Sequence, residues 1–230
     1  MKRFLLVLVL LYSVSAMYAQ VTKRVFTVKE SVGSRNQLYE NVSRKSYLNV
    51  GYQRLTMKQS GGMELKSNLG LLSSVGKIYL LSNEPKIFDC GIDVVWADLN
   101  YINYQLEFRE SKYVAQKTYH QVDIGMQGGV IFVFRSASLG FNARVFVRYM
   151  PGFSAMCVDE DWYGNYANFV VAGSSLSFGS FGIGVDYKWG ICDYAVLNWN
   201  VDNEEDGRDV PASFPSSRYS GIRAYLVYHF

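Results

Sequence analysis

Histidine and cysteine are scarce in this chain, 2 and 3 among 230 residues, and proline occurs only 4 times. With so few ligands a zinc site has no support, because neither His120 nor His229 has a cysteine or carboxylate at ligand spacing. The sequence has no apolar run approaching the roughly 20 residues that a membrane helix needs, and it lacks heptads and low-complexity tracts. A net charge of +3 is small and comes largely from basic residues near the N-terminus, so nucleic-acid binding is excluded as a main role. No Gly-x-Ser-x-Gly elbow and no phosphate-cradling glycine loop occurs. Catalytic residues are therefore assigned to none of the side chains, and no cofactor is predicted.

What the chain does have is aromatic residues at 16%, 18 of the residues being tyrosine, and 20 glycines, in a sequence whose mean hydropathy is only -0.01. Near-zero hydropathy with 49% hydrophobic residues fits segments in which apolar and polar residues alternate. Alternation halves the apolar content of a strand while leaving one of its faces wholly apolar. The last nine residues show the pattern most clearly: Ile222, Ala224, Leu226, Tyr228 and Phe230 fall on one face, and Arg223, Tyr225, Val227 and His229 on the other. An oily outside with a polar inside is the signature of a lipid-embedded barrel.

Similar alternation predicts eight strands, at about 47–57, 65–80, 87–101, 120–134, 139–149, 166–178, 181–189 and 220–230. The fold class expected is all-β, an eight-stranded antiparallel up-and-down transmembrane β-barrel. The polar stretch Asn103 to Thr118 is read as a long connection, and Pro151-Gly152 as the end of the fifth strand. Links after the second, fourth and sixth strands are then short and those after the third, fifth and seventh long, which places tight turns and both termini in the periplasm and longer loops at the cell surface.

Three segments are expected. Met1-Lys2-Arg3, the apolar run Phe4 to Leu11 and the small residues Ser15, Ala16 and Ala19 predict a signal peptide over 1–19, cleaved before Gln20. Residues 20–45 are basic and polar and read as a periplasmic extension, with a small docked strand at Val25 to Val28 as the alternative. The barrel spans 46–230, and the localisation expected is the bacterial outer membrane.

The inward face collects Asp93, Asp123, Arg144, Arg148, Asp186, Lys188 and Arg223. An eight-stranded barrel is about wide enough for its side chains to fill, and a buried ion without a partner costs several kcal/mol. These residues are therefore expected to form a plug of ion pairs, in a barrel with a structural or surface-interaction role. A narrow gated channel for small ions or solutes would use the same residues and is the alternative. A lipid-modifying enzyme, a deacylase or acyltransferase, is a second; it would place His120 beside Ser111 or Thr118 near the outer rim.

Asp202, Glu204 and Asp206 stand at alternate positions before Gly207, as in calcium loops, but Ser213 occupies the place of the bidentate glutamate. A solvated acidic loop is the preferred reading. With Asp159, Glu160 and Asp161 it could bridge divalent cations to lipopolysaccharide phosphates. Trp162, Tyr163, Trp199 and Tyr219 are expected as interface anchors near that rim. Cys157 and Cys192 fall in predicted outward loops, where either a bridge or free thiols is open, while Cys90 falls on a strand.

Several stretches resemble the small outer-membrane β-barrel proteins of Bacteroidetes-type Gram-negative bacteria, of the eight-stranded OmpA/OmpX-like kind. They are Leu65-Lys66-Ser67-Asn68-Leu69-Gly70, Val75-Gly76-Lys77, Phe88-Asp89-Cys90-Gly91-Ile92-Asp93, Leu99-Asn100-Tyr101, Gly125-Met126-Gln127-Gly128-Gly129, Arg148-Tyr149-Met150-Pro151 and Tyr228-His229-Phe230. The similarity covers about 46 to 230 and speaks to fold rather than activity. It implies a monomer surrounded by outer-membrane lipid and lipopolysaccharide. Tyr228 and the terminal Phe230 resemble the signal read by the β-barrel assembly machinery, which is the protein partner implied.

Overall fold

The computed structural model describes residues 46–60, 62–82, 87–110, 113–136, 140–158, 161–196 and 216–230, with side chains described outside 106–117 and 196. The predicted leader and basic extension, and the loop carrying Asp202, Glu204 and Asp206, lie outside the described residues, as do Asp159, Glu160, Ser111 and Trp199.

Among the described residues nine strands follow one another: β1 (Ser46–Gln59), β2 (Glu64–Leu80), β3 (Phe88–Glu110), β4 (Tyr113–Ser136), β5 (Phe141–Val158), β6 (Asp161–Phe178), β7 (Phe181–Cys192), β8 (Ala195–Val196) and β9 (Ser217–His229). All but β8 build one closed antiparallel sheet in which each strand pairs with its sequence neighbours and β1 returns to β9. The two-residue β8 only flanks β6, through Tyr163↔Val196 and Gly164↔Ala195. Along the seam, Tyr47↔His229 through Gln59↔Ser217 pair without a shift. The amide of Phe230 also donates to the Ser46 carbonyl at 3.1 Å. An eight-stranded up-and-down barrel is thus what the alternation predicted.

Sidedness follows the prediction too. Val130 is 54% exposed and Leu226 68%, whereas Asp123 is fully buried and Arg144 only 5% exposed. Pure alternation fails at two bulges, one in β2 near Asn68, seen as a register shift against both β1 and β3, and one in β3 between Val95 and Asp98. A bulge inserts one extra residue and resets which parity faces inward. Below its bulge β3 turns odd-numbered Asp93 and Val95 inward; above it the buried residues are Asp98, Asn100, Ile102 and Tyr104. In β2 the same effect leaves Lys66 and Asn68 exposed, although uninterrupted alternation from the inward Gly70 and Gly76 would turn them inward.

Two predicted strand ends are corrected. Asn103 to Glu110 and Tyr113 to Thr118 are not a loop: they form the arms of β3 and β4, paired from Asn103↔His120 to Glu110↔Tyr113. Nor does Pro151-Gly152 end β5, which runs on to Val158 with Pro151↔Asn168 and Gly152↔Ala167 on the β6 side. Proline has no N–H to donate, and on the β4 side the ladder lapses between Gly125↔Gly152 and Gly128↔Tyr149 before resuming. After the third and fifth strands the predicted difference between the two ends therefore resides in strand length rather than loop length. A span of about 25 Å at a tilt near 40° takes roughly 10 residues. The 12 residues of β7 meet that need with little to spare, while the 24 of β4 double it.

Glycines on the inner face make room for long side chains. A Cβ on Gly184 would lie 2.3 Å from the Tyr225 ring, and one on Gly76 would lie 2.6 Å from that of Tyr47. Both tyrosines belong to an apolar cluster near the end of the barrel that carries Phe230, with Val95, Ile131, Phe146 and Val227. A second cluster, richer in tyrosine and methionine, fills the lumen towards the other end with Met57, Tyr104, Met150, Phe169, Tyr194 and Tyr219 among its members. The interior is accordingly less polar than alternation alone suggested.

Candidate functional site

Between these clusters the lumen is crossed by ion pairs. Arg223 on β9 grips Asp186 on β7 with both arms of its fork, Nε to Oδ1 at 2.6 Å and Nη2 to Oδ2 at 3.0 Å. Its Nη1 reaches across to Asp98 on β3 at 3.1 Å. Lys188 on β7 spans the lumen to Asp123 on β4, with Nζ to Oδ2 at 2.7 Å. Arg148 on β5 donates to Asp93 on β3 from Nη2 at 2.6 Å and from Nε at 2.8 Å. Asp186 is the cross-strand neighbour of Arg223 on the adjacent β7, but the bonds Arg223–Asp98, Lys188–Asp123 and Arg148–Asp93 join non-adjacent strands and brace the barrel across its width.

The remaining lone pairs are taken up. Asp123 Oδ1 accepts from Ser154 Oγ at 2.6 Å and from Gln121 Nε2 at 2.7 Å. Asp98 also accepts from Asn100 and Gln127. Tyr47 O–H donates to Asp93 Oδ1 at 2.7 Å. The cations rest on aromatic faces, Arg148 3.6 Å from the Phe146 ring centre and Lys188 Nζ 3.9 Å from that of Phe169, which adds a further attraction in a dry interior. From Ser154 the polar chain continues through Tyr194 at 2.7 Å to Tyr219 at 2.8 Å.

All seven residues expected in the interior are there, and six of them join these pairs. The seventh, Arg144, has no carboxylate within salt-bridge distance among the described residues; its Nη1 lies 3.3 Å from His229 Nδ1. Alternation missed Asp98, hidden by the β3 bulge; it puts Asp89 on the inward face with Asp93, but the expected set did not include Asp89 or its partner Arg135, 3.5 Å away. Gln121, Gln127, Asn100 and Ser154 carry no charge to flag them. Only their inward parity marks them out.

Other expectations are redistributed. His120 is outward and exposed, bonded to Tyr101 O–H at 2.8 Å and facing Asn103 at 3.3 Å; a pairing with Thr118 is not among these contacts, and Ser111 lies outside the described residues. Trp162 is exposed as an anchor would be, but Tyr163 and Tyr219 are not anchors: they are 4% and 2% exposed, inside the lumen. Cys157 and Cys192 lie on β5 and β7 rather than in loops, and Cys90, Cys157 and Cys192 form no disulfide among the described residues. Tyr228 and Phe230 stand on the outer face with ring centres 6.1 Å apart, and the Phe181 ring lies tilted against Tyr228 at 5.2 Å.

A water-soluble molecule would reverse this arrangement, since it could not bare an unbroken belt of Val, Ile, Phe and Trp while spending its interior on arginine and aspartate. This is the transmembrane barrel of outer membranes. No protein-family model matches the sequence, and no curated protein does. Among solved structures the chain is similar to the Neisserial surface protein A (NspA) at 12% identity and a TM-score of 0.48, over 80% of this chain and 97% of that one. It is similar to Ail, the attachment invasion locus protein of Yersinia pestis, at 13% and 0.36, over 81% and 98%. The outer membrane protease OmpT from Escherichia coli matches at 9% and 0.45, over 81% and 97%.

Proposed function

We propose that the protein is an integral outer-membrane barrel of structural or surface-contact role whose lumen is closed by its own ion pairs, and that it is neither a channel nor an enzyme. The observation that carries this reading is the set of bonds from Arg223, Lys188 and Arg148 to carboxylates on non-adjacent strands. Opening a conduit along the axis would separate at least one of them, and an uncompensated buried charge costs about 3–5 kcal/mol. Thermal energy does not supply that often.

In this reading residues 1–19 are a leader removed on export, both ends of the barrel chain face the periplasm, and the tall arms of β3 to β6 stand outside the cell. The segments resembling barrels of Bacteroidetes-type bacteria support the same address. Lipopolysaccharide is the proposed lipid partner. Arg54, Lys58, Lys66 and Arg218 project outward from the adjacent strands β2, β1 and β9 just above the apolar stripe that ends at Ile222, with Glu64 as their acidic neighbour. Lys58 and Arg218 sit directly opposite each other, an unfavourable like-charge pair that lipid phosphates would relieve. Native mass spectrometry of the protein from its own membrane would identify the lipid retained.

The deciding test of closure is electrical. In planar bilayers the purified barrel should give no steady conductance above background. Ohmic steps that persist at low voltage would overturn the plugged-barrel reading in favour of a gated conduit.

A further inference from the structure

Among the described residues, charge in the lumen balances as a whole but not locally. Their buried cations are Arg135, Arg144, Arg148, Lys188 and Arg223, and their buried carboxylates are Asp89, Asp93, Asp98, Asp123 and Asp186. Arg223 takes two of the carboxylates, Asp98 and Asp186, so one cation is left over. That cation is Arg144, 5% exposed. Its Nε has no hydrogen-bond partner. The contact with His229 brings no negative charge, because Nδ1 must be unprotonated to accept from Arg144 while Nε2–H donates to Ser177 Oγ at 2.9 Å.

Arg144 lines a cavity of about 10 Å³ together with Tyr47, Asn49, Arg148, Ser175 and Tyr225. Two more polar groups there lack partners, the Tyr225 hydroxyl and Asn49 Oδ1. Asp93 also borders the cavity, but its oxygens are engaged, Oδ1 by Tyr47 at 2.7 Å and Oδ2 by Arg148 at 2.6 Å. The Asn49 amide meets Ser74 Oγ at 3.1 Å through Nδ2. A serine hydroxyl donates as readily as it accepts, so turning that amide over keeps the bond and presents Nδ2–H to the cavity instead.

We propose that this cavity is a halide site, occupied in the cell by chloride. A buried cation without a counter-charge is among the costliest features an interior can hold, and Arg144 Nε–H and Tyr225 O–H supply donors that nothing else uses. Size narrows the anion. A space of this volume admits about one water-sized particle, which excludes phosphate, sulfate and carboxylates and leaves a monatomic ion. Water would satisfy the same donors but bring no charge. The site depends only on burial within the lumen and stands whether or not the barrel conducts.

Bromide is the probe. Crystals of the full barrel grown with bromide in place of chloride should show an anomalous peak between Arg144 Nε and Tyr225 Oη. In detergent, at constant ionic strength, exchanging gluconate for chloride should raise the midpoint of thermal unfolding by about 3–6 °C once chloride exceeds its dissociation constant tenfold. Arg144→Gln should abolish that rise. Tyr225→Phe, which removes one donor and no charge, should weaken it, and it serves if Arg144→Gln fails to fold. Ordered water in the cavity with no bromide peak, or an equal chloride response in wild type and Tyr225→Phe, would overturn the proposal.

Discussion

Each lumenal ion is held by more than its opposite charge, and Asp123 shows what that implies. It accepts from Lys188, Gln121 and Ser154 at once. Asp123→Asn would leave Lys188 buried without a carboxylate and should cost about 3–5 kcal/mol of stability, read from denaturant unfolding in micelles. Replacing both partners, Asp123→Leu with Lys188→Met, removes the stranded charge. It should cost only about 1–3 kcal/mol, for the donors of Gln121 and Ser154 left behind. A double variant as damaged as the single one would show that the pair itself supplies net stability. Sequence revealed that these residues face inward; it could not reveal who pairs with whom. Partners such as Lys188 and Asp123 lie on β7 and β4, and only the closure and shear of the barrel bring them together.

At the scale of the element, alternation located every barrel strand and most of its inward positions, because lipid on one side and ions on the other give opposite demands to successive residues. It failed where that contrast disappears. The upper arms of β3 and β4 continue as paired strands from Asn103↔His120 to Glu110↔Tyr113, yet their sequence there shows no apolar alternation, and a polar strand reads as a loop. It failed again at bulges, where spacing shifts by one. The β3 bulge supplies a test. Between Val95 and Asp98, Trp96 pairs in neither ladder and Ala97 pairs only with Val75, so deleting Ala97 and leaving Trp96 outward should give a regular strand with Asp93, Val95, Asp98 and Asn100 still inward. Such a protein should retain the heat-modifiable mobility of the folded barrel. Deleting Val94 from the regular stretch below should turn Asp93 towards lipid and abolish it.

For the whole molecule, assembly is the first demand. Tyr228 and Phe230 are exposed on the outer surface beside Phe181, and the Phe230 amide closes the seam on Ser46. Removing Phe230 should lower the amount of heat-modifiable barrel recovered from outer membranes, measured against an equal level of synthesis. Undiminished recovery would mean that recognition by the assembly machinery does not rest on the terminal aromatic.

The position of Arg223 carries a consequence for how the barrel is completed. It lies on the final strand, and its two counter-ions, Asp186 and Asp98, belong to β7 and β3. Until that strand arrives, aspartates committed long before in the chain await a charge not yet delivered. A curled but unsealed intermediate thus keeps a penalty that vanishes at the moment of sealing. Neutralisation and joining of the first and last strands become one event, and a partly wound sheet gains little by lingering in the bilayer.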